Sequence, residues 1–279
     1  RMKMNDGILY ICPTPIGNLE DITLRTINVL KEVDLIAAED TRHTLKLLNH
    51  YDIKKPLISY HEHNKITKGE KLLEKLKNGE KIALVTDAGM PGISDPGQDI
   101  IKLCIENGIQ VVALPGPTAF VLALVMSGLT TDRFVFEGFL PSKGKERKDI
   151  LEKLIYETRT IILYEAPHRI EALLKDLLET LGNRKISISR ELTKIHEETF
   201  RGTVEKAIEK FQTQKPKGEF VIVVEGAKGN EENSFDHISI KEHIKMYMDE
   251  GLSKKDSIKR VAKERNIPKS QVYREGIDL

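Results

Sequence analysis

Short apolar runs that stop at a glycine- or proline-rich loop, each followed by a segment of helical period, recur from Ile8 to Val224 of this 279-residue chain. That alternation is the pattern of βα units, and it predicts an α/β fold around mostly parallel sheets. Strands are expected at 8–12, 35–38, 57–60, 81–85, 111–114, 134–138, 161–164, 185–188 and 220–224. Helices are expected after each of the first two strands and at 66–77, 97–107, 119–127, 145–157, 168–181 and 203–211. The first buries a stripe of Leu24, Ile27, Val29, Leu30 and Val33, with Asp21 or Thr23 as its cap. The length suits two domains of ~100 to 150 residues each. The break is expected at Pro115-Gly116-Pro117, giving domains 1–117 and 118–229.

Past Gly226 the composition changes to Asn230-Glu231-Glu232-Asn233-Ser234, a linker, and 236–279 reads as a small helical tail. Gly251-Leu252-Ser253 separates two amphipathic helices and Ile267-Pro268-Lys269-Ser270 opens a third, the rhythm of a helix-turn-helix-like unit. Its Lys254, Lys255, Lys259, Arg260, Lys263, Arg265, Lys269 and Arg274 suit phosphate contacts, and equally a solvated appendage or a dimer element.

Forty-four basic residues against 43 acidic leave a net charge of +1, so any basic footprint for a nucleic acid must be local. No run approaches the ~18 apolar residues of a membrane span, so no membrane partner is expected. Residues 1–6 lead straight into the first strand without an apolar signal segment. The two cysteines, Cys12 and Cys104, sit in apolar segments and are too few for a disulfide framework or a zinc site. A cytoplasmic protein is expected.

Three strands, 8–12, 81–85 and 111–114, run into Gly/Pro-rich loops, where backbone can approach a ligand without side-chain bulk. One such loop is more often only a tight turn. Three with the same placement argue for a ligand site, centred on Asp87-Ala88-Gly89-Met90-Pro91-Gly92-Ile93-Ser94-Asp95-Pro96-Gly97. The chain lacks both G-x-G-x-x-G and G-x-x-x-x-G-K-[ST], so neither a dinucleotide nor a P-loop nucleotide is indicated.

Seven blocks in order then carry a resemblance over residues 7–226. They begin at Thr14-Pro15-Ile16-Gly17-Asn18-Leu19-Glu20-Asp21, Ala38-Glu39-Asp40-Thr41-Arg42 and Ser59-Tyr60-His61-Glu62-His63-Asn64, and continue through the 87–97 loop to Pro115-Gly116-Pro117-Thr118-Ala119. The last two are Tyr164-Glu165-Ala166-Pro167-His168-Arg169 and Ser189-Arg190-Glu191-Leu192-Thr193-Lys194. The chain resembles the tetrapyrrole methylase superfamily, and most of all its branch that methylates the ribose 2′-hydroxyl of a decoding-region cytidine in small-subunit (16S) ribosomal RNA. The resemblance implies a two-domain fold with S-adenosyl-L-methionine in the interdomain cleft, a homodimer, and small-subunit ribosomal RNA or the assembled small subunit as partner.

The cofactor-binding residues implied are Pro15, Ile16, Gly17, Asp87, Ala88, Gly89, Met90, Ile93, Ser94, Thr118, Ala119 and Glu165. Only the glycine of the superfamily's first loop is clearly shared, at Gly17, and Met90 stands where relatives carry an aspartate, with Asp87 or Asp95 as a replacement.

A ribose hydroxyl attacks better when a base accepts its proton. Glu39, Asp40, His61, His63 and His168 are candidates; Glu39 and Asp40 come first, with Arg42 beside them, because their loop faces the cleft in relatives. Against that, Asp40 could simply cap the helix after Thr41 while Glu39 pairs with Arg42. His61 and His63 mimic half a metal site without a third ligand, and no metal is expected.

Arg42, Arg169 and Arg190 follow strands, where a guanidinium can clamp a phosphate. With His61, His168, Lys143, Lys145, Arg147, Lys254 and Lys255 they form the expected RNA-binding set. Two other readings remain: a C-methyltransferase acting on a tetrapyrrole, and a non-catalytic RNA-binding or ribosome-assembly protein.

Overall fold

The computed structural model describes residues 7–213, 216–228, 235, 238–265 and 267–279. The expected linker at 230–234 and the first six residues lie outside them. Two compact units result, one of residues 1–119 with 192–195, the other of 120–191 with 196–279.

In the first unit, β1 (Ile8–Ile11), β2 (Leu35–Ala38), β3 (Leu57–Ser59), β4 (Lys81–Val85) and β5 (Gln110–Ala113) form one sheet in the order β3-β2-β4-β1-β5. Every pairing is parallel. The helices α1 (Leu24–Glu32), α2 (Thr41–His50), α3 (Lys65–Lys77) and α4 (Gly97–Glu106) link the strands. All of Leu35-Ile36-Ala37-Ala38 and of Ile82-Ala83-Leu84-Val85 is buried, as a sheet covered on both faces requires. Leu9, Ile11, Ile82 and Leu84 pack with Leu72, Leu76, Ile100 and Cys104 of α3 and α4, and Ile36, Ala38, Ala83 and Val85 with Leu30, Val33 and Leu48. Burial pushes the thiols of Cys12 and Cys104 up to about 12 and about 11, so both behave as small apolar residues. Thr23, not Asp21, caps α1: its Oγ1 accepts from the Thr26 N–H at 3.0 Å, while Asp21 ends a short 3₁₀ turn.

The second unit departs from the expected parallel pattern. Its strands are β6 (Phe134–Phe139), β7 (Thr160–Glu165), β8 (Lys185–Arg190), β9 (Glu198–Thr203) and β10 (Phe220–Val224), ordered β6-β7-β10-β8-β9. Only β6 and β7 run parallel; β10 is antiparallel to β7 and β8, and β9 to β8. The chain reverses between β8 and β9, so the strand that follows returns against β8 rather than with it. β9 is absent from the sequence expectations because Glu198-Thr199-Phe200-Arg201-Gly202-Thr203 is a half-exposed edge strand with one large apolar residue.

Helix α5 (Ala119–Met126) leads into this unit, and α6 (Lys145–Leu154), α7 (Ile170–Leu181) and α8 (Val204–Thr213) join its strands. Its core gathers Leu163, Leu173, Leu177, Ile188, Phe211 and Ile222. The tail forms α9 (Ile240–Asp249), α10 (Lys254–Glu264) and α11 (Lys269–Glu275), with turns where the Gly251 and Pro268 signals put them. Ile244, Tyr247, Ile258, Val261 and Val272 close its core, and α11 packs on α7 and α9. A capping box, Ser239 with Glu242, starts α9.

Candidate functional site

Because β4, β1 and β5 are parallel neighbours, the loops after them leave the same edge of the first sheet side by side. The first two are zipped together: Thr14 and Gly89 exchange backbone hydrogen bonds of 3.0 and 2.9 Å, and Thr14 Oγ1 donates to the Thr86 carbonyl at 3.0 Å. Gly89 sits at φ +81°, and a Cβ there would meet Ile16 Cγ2 at 3.4 Å and the Pro117 carbonyl at 3.5 Å. A Cβ on Gly116 would lie 2.5 Å from Pro13 Cβ. Three loops distant in sequence therefore converge where backbone, not side chains, fills the space.

Residues 192–195 complete this edge. The Asn18 N–H donates to Thr193 Oγ1 at 3.0 Å, and a Cβ on Gly17 would collide with Lys194 and Thr193. Within the central loop, Asp95 Oδ1 accepts from Gly92 and Gly97 N–H at 2.7 and 2.9 Å, so Asp95 braces its own turn, and burial raises its carboxyl above the usual range. Ser94 holds φ +63° beside it, and Ile93 stays exposed. Pro15, Thr118 and Ala119 are half-buried, Ile16 is buried and Ala88 is exposed. Met90 instead packs its side chain against the core under α3 and α4, and Gly89's own amide and carbonyl are committed to Thr14.

β2 lies beside β4, which brings Glu39 and Asp40 against Thr86 and Asp87. The Thr86 hydroxyl donates to Glu39 Oε2 at 2.7 Å, and the Asp40 N–H donates to Asp87 Oδ1 at 3.1 Å. Asp40 caps α2: Oδ1 accepts from Arg42 N–H at 2.8 Å and His43 N–H at 3.4 Å, and these donors, the Arg42 amide first, hold its carboxyl below the usual range. The expected Glu39–Arg42 pair is absent among the described residues; Arg42 leans instead on Asp40 at 3.5 Å with 90% of its side chain exposed. Burial, with help from Glu39 and Asp40, raises the Asp87 carboxyl. The cluster thus sorts into a helix cap, Asp40, and two carboxylates, Glu39 and Asp87, each with one oxygen that has no donor among the described residues.

His61 is held by Asn64, whose Nδ2 lies 3.2 Å from Nε2, and the other ring nitrogen is buried without a partner. The rings of His61 and His63 are 6.0 Å apart.

In the second unit, Glu165 ends β7 with its carboxylate buried. Oε1 accepts from Ala166 N–H at 2.9 Å and pairs with Arg169 Nε at 3.1 Å, while Oε2 has no hydrogen-bond partner among the described residues. Arg169 also donates to the Leu140 carbonyl at 2.6 Å, and Arg190 pairs with Glu198 at 2.9 Å. Arg147 corrects the expected basic patch. It is only 7% exposed, with its guanidinium bound to Asp176 at 2.7 and 2.8 Å and to the Pro141 carbonyl at 2.9 Å. Lys143, Lys145, His168 and Lys255 are exposed, and Lys254 donates to the Ile277 carbonyl at 3.1 Å. Thr14, Thr86 and Thr193 escaped sequence reasoning; their one signal was position, at strand ends and in a shared block.

The fold and the three-loop edge define a class. Residues 8–208 match the Tetrapyrrole (Corrin/Porphyrin) Methylases, and the chain belongs to that family. Among solved structures it is similar to a diphthine synthase (TM-score 0.63, 13% identity, 79% of this chain and 90% of that one). It is also similar to a uroporphyrin-III C-methyltransferase from Thermus thermophilus complexed with S-adenyl homocysteine (TM-score 0.57, 18% identity, 78% and 97%).

The particular relatives are narrower. The chain is 50% identical over 274 residues, 98% of each chain, to the ribosomal RNA small subunit methyltransferase I of Synechocystis sp.. It is 49% identical over 275 residues to that of Bacillus subtilis, covering 97% of this chain and 94% of the relative. The Thermotoga maritima enzyme of the same name is matched over 99% of its length by 79% of this chain, at 50% identity.

Proposed function

We propose that the chain uses S-adenosylmethionine to methylate the ribose 2′-hydroxyl of a cytidine in small-subunit ribosomal RNA. The observation that carries this reading is the 50% identity, over 98% of both chains, to a small-subunit ribosomal RNA methyltransferase. The residues present fit such a donor. Gly89, Gly92 and Ser94 hold positive φ, so this loop offers a ligand backbone rather than side-chain bulk. In the second unit, the orphan Oε2 of Glu165 is a buried acceptor suited to a ligand N–H or O–H.

When bound, S-adenosylmethionine supplies a methyl carbon activated by a sulfonium charge. Pro15, Ile16, Gly17, Ala88, Gly89, Ile93, Thr118 and Ala119 shape the ligand's seat, with Met90 supporting it from the core side. A hydroxyl proton must leave as the oxygen is alkylated, and Asp87 and Glu39 each keep one oxygen free to accept it. Asp40 fixes the start of α2 and so aims Arg42, whose exposed guanidinium keeps donors beyond its Asp40 contact for an RNA phosphate. On the second unit, Lys143, Lys145, His168, Lys254 and Lys255 offer basic contacts of their own, beside the guanidinium edges of Arg169 and Arg190 left over from their carboxylates.

A homodimer is part of the proposal. Val121 and Val125 of α5, the latter 71% exposed, stand with Phe134 and Phe139 as apolar surface on the second unit, suited to a second copy. The described residues include no helix long and apolar enough to cross a membrane; a cytoplasmic location is part of the proposal and is supported by the proposed ribosomal substrate. The test is transfer of labelled methyl to purified small ribosomal subunits and to their RNA, followed by nucleoside analysis. Labelled 2′-O-methylcytidine is expected. Label in an added tetrapyrrole alone, or in nothing despite cofactor binding, overturns the proposal.

A further inference from the structure

The second sheet has two chemically distinct ends. β7 runs from Thr160 to Glu165 and β8 from Lys185 to Arg190, with β10 antiparallel between them. Glu165 and Arg190 therefore share one edge, while Thr160, Lys185 and the exit of β10 share the other. At that second edge lies an open cavity of about 490 Å³, lined by Arg133, Arg159, Lys185 and Lys228 together with Asp132 and Glu225.

Its floor is fixed by close backbone approach. A Cβ on Gly226 would collide with the Thr158 carbonyl, and the Ala227 N–H donates to the Glu157 carbonyl at 2.6 Å. Arg159 is held in place by a two-pronged pair with Glu157, Nε to Oε1 at 2.8 Å and Nη2 to Oε2 at 2.7 Å. That guanidinium, above all, pulls the Glu157 carboxyl down to about 2. A guanidinium has five N–H donors, so three on Arg159 remain for another acceptor. Among the described residues, Arg133, Lys185 and Lys228 make no ion pair. Four cations face the two lining carboxylates, so the lining itself is net positive, while Glu157 and Glu137 act on Arg159.

We propose that this basin binds backbone phosphates of the substrate RNA, on top of the contacts at the reaction edge; this rests on the ribosomal RNA reading above. The cations come from four separate chain segments around an open space, a spread suited to an extended polyanion rather than one small anion. A six-residue strand at ~3.3 Å per residue puts the basin about 16 Å from Glu165, within reach of one continuous RNA segment. The basin grips phosphate and carries no base readout.

The experiment compares wild type with Lys185→Ala/Lys228→Ala, both exposed side chains whose loss should not disturb folding. Binding of purified small ribosomal subunits is titrated at several KCl concentrations, and methyl transfer is measured across subunit concentration. Each lost phosphate contact removes about 0.7–0.9 from the slope of log affinity against log salt, so the double variant should bind several-fold more weakly with a slope shallower by about 1.4–1.8. The loss should fall on KM and not on kcat. Unchanged affinity and slope overturn the proposal. So does loss of inorganic phosphate binding with subunit binding intact, which would make the basin a small-anion site. Failure of the wild type to methylate subunits strikes the underlying reading instead, while the titration still reports on the basin.

Discussion

Gly116→Ala tests whether contact between the first and third loops sets the ligand site. The new Cβ would lie 2.5 Å from Pro13 Cβ and 2.8 Å from its Cγ. Apolar carbons rest at ~3.5–4.0 Å, so the loops must part by about 1 Å, and a proline ring has no rotamer with which to swing aside. Overpacking of this kind costs about 1–3 kcal/mol, and in a chain of this size each kcal/mol lowers Tm by about 2–4 °C. The melting point should therefore fall by about 2–12 °C. A displacement of 1 Å in a reacting site lowers turnover by roughly 100-fold, so activity should drop far more than folding does at 25 °C. Gly108→Ala is the control: Gly108 also sits in the first unit, at φ +72°, but with open space around it, so it carries only left-handed strain of about 1–2 kcal/mol. Calorimetry, cofactor titration and methyl transfer on both variants separate the two effects. If Gly116→Ala melts lower yet binds cofactor and turns over like Gly108→Ala, the convergence of the loops is not what holds the ligand.

Three further outcomes are expected. Asp87→Asn should lower kcat at least tenfold with cofactor affinity retained; in the wild type the raised Asp87 carboxyl should give an acid limb, activity falling as pH drops through a value above that of an ordinary aspartate, and the variant should lack it. Asp176→Asn removes the negative partner of the buried Arg147 guanidinium and should destabilise the second unit by about 2–4 kcal/mol, read by denaturant unfolding. Val125→Asp should convert a dimer to monomers in sedimentation with little change in the melting of the monomer, since the side chain is already exposed; an unchanged sedimentation coefficient removes α5 from the interface.

The first sheet was legible because its strands are short and apolar, two of them, β2 and β4, almost wholly buried, and because β1, β4 and β5 are closed by Gly/Pro loops, each a local signal. Its three loops could be placed at strand ends from sequence, but their convergence depends on the order β4-β1-β5, which no local pattern encodes. The second sheet misled for the opposite reason: helices between strands suggested parallel neighbours, and the reversal into β9 is written in a strand too polar to announce itself. Within the site, the capping reading of Asp40 and the base reading of Glu39 were both open on spacing alone. The Asp40 bonds to Arg42 and His43, and the Thr86 hydroxyl on Glu39, separate them. Arg147 shows the limit of reading charge along a chain: a basic run looks solvated until one member proves to be the anchor of a loop on α7.

The Asn18 hydrogen bond to Thr193 joins residues 175 positions apart, and residues 192–195 belong to the first unit. At ~5–20 residues per second of synthesis, the donor at the first loop waits about 9–35 s for its acceptor to be made. The nascent first unit can thus lay down its sheet early and still lack the cover of its leading loop until nearly half of the second unit's sequence has been translated. A fragment cut at residue 119 would remain in that unfinished condition permanently, so maturation of the ligand edge is a late event in the life of each new chain.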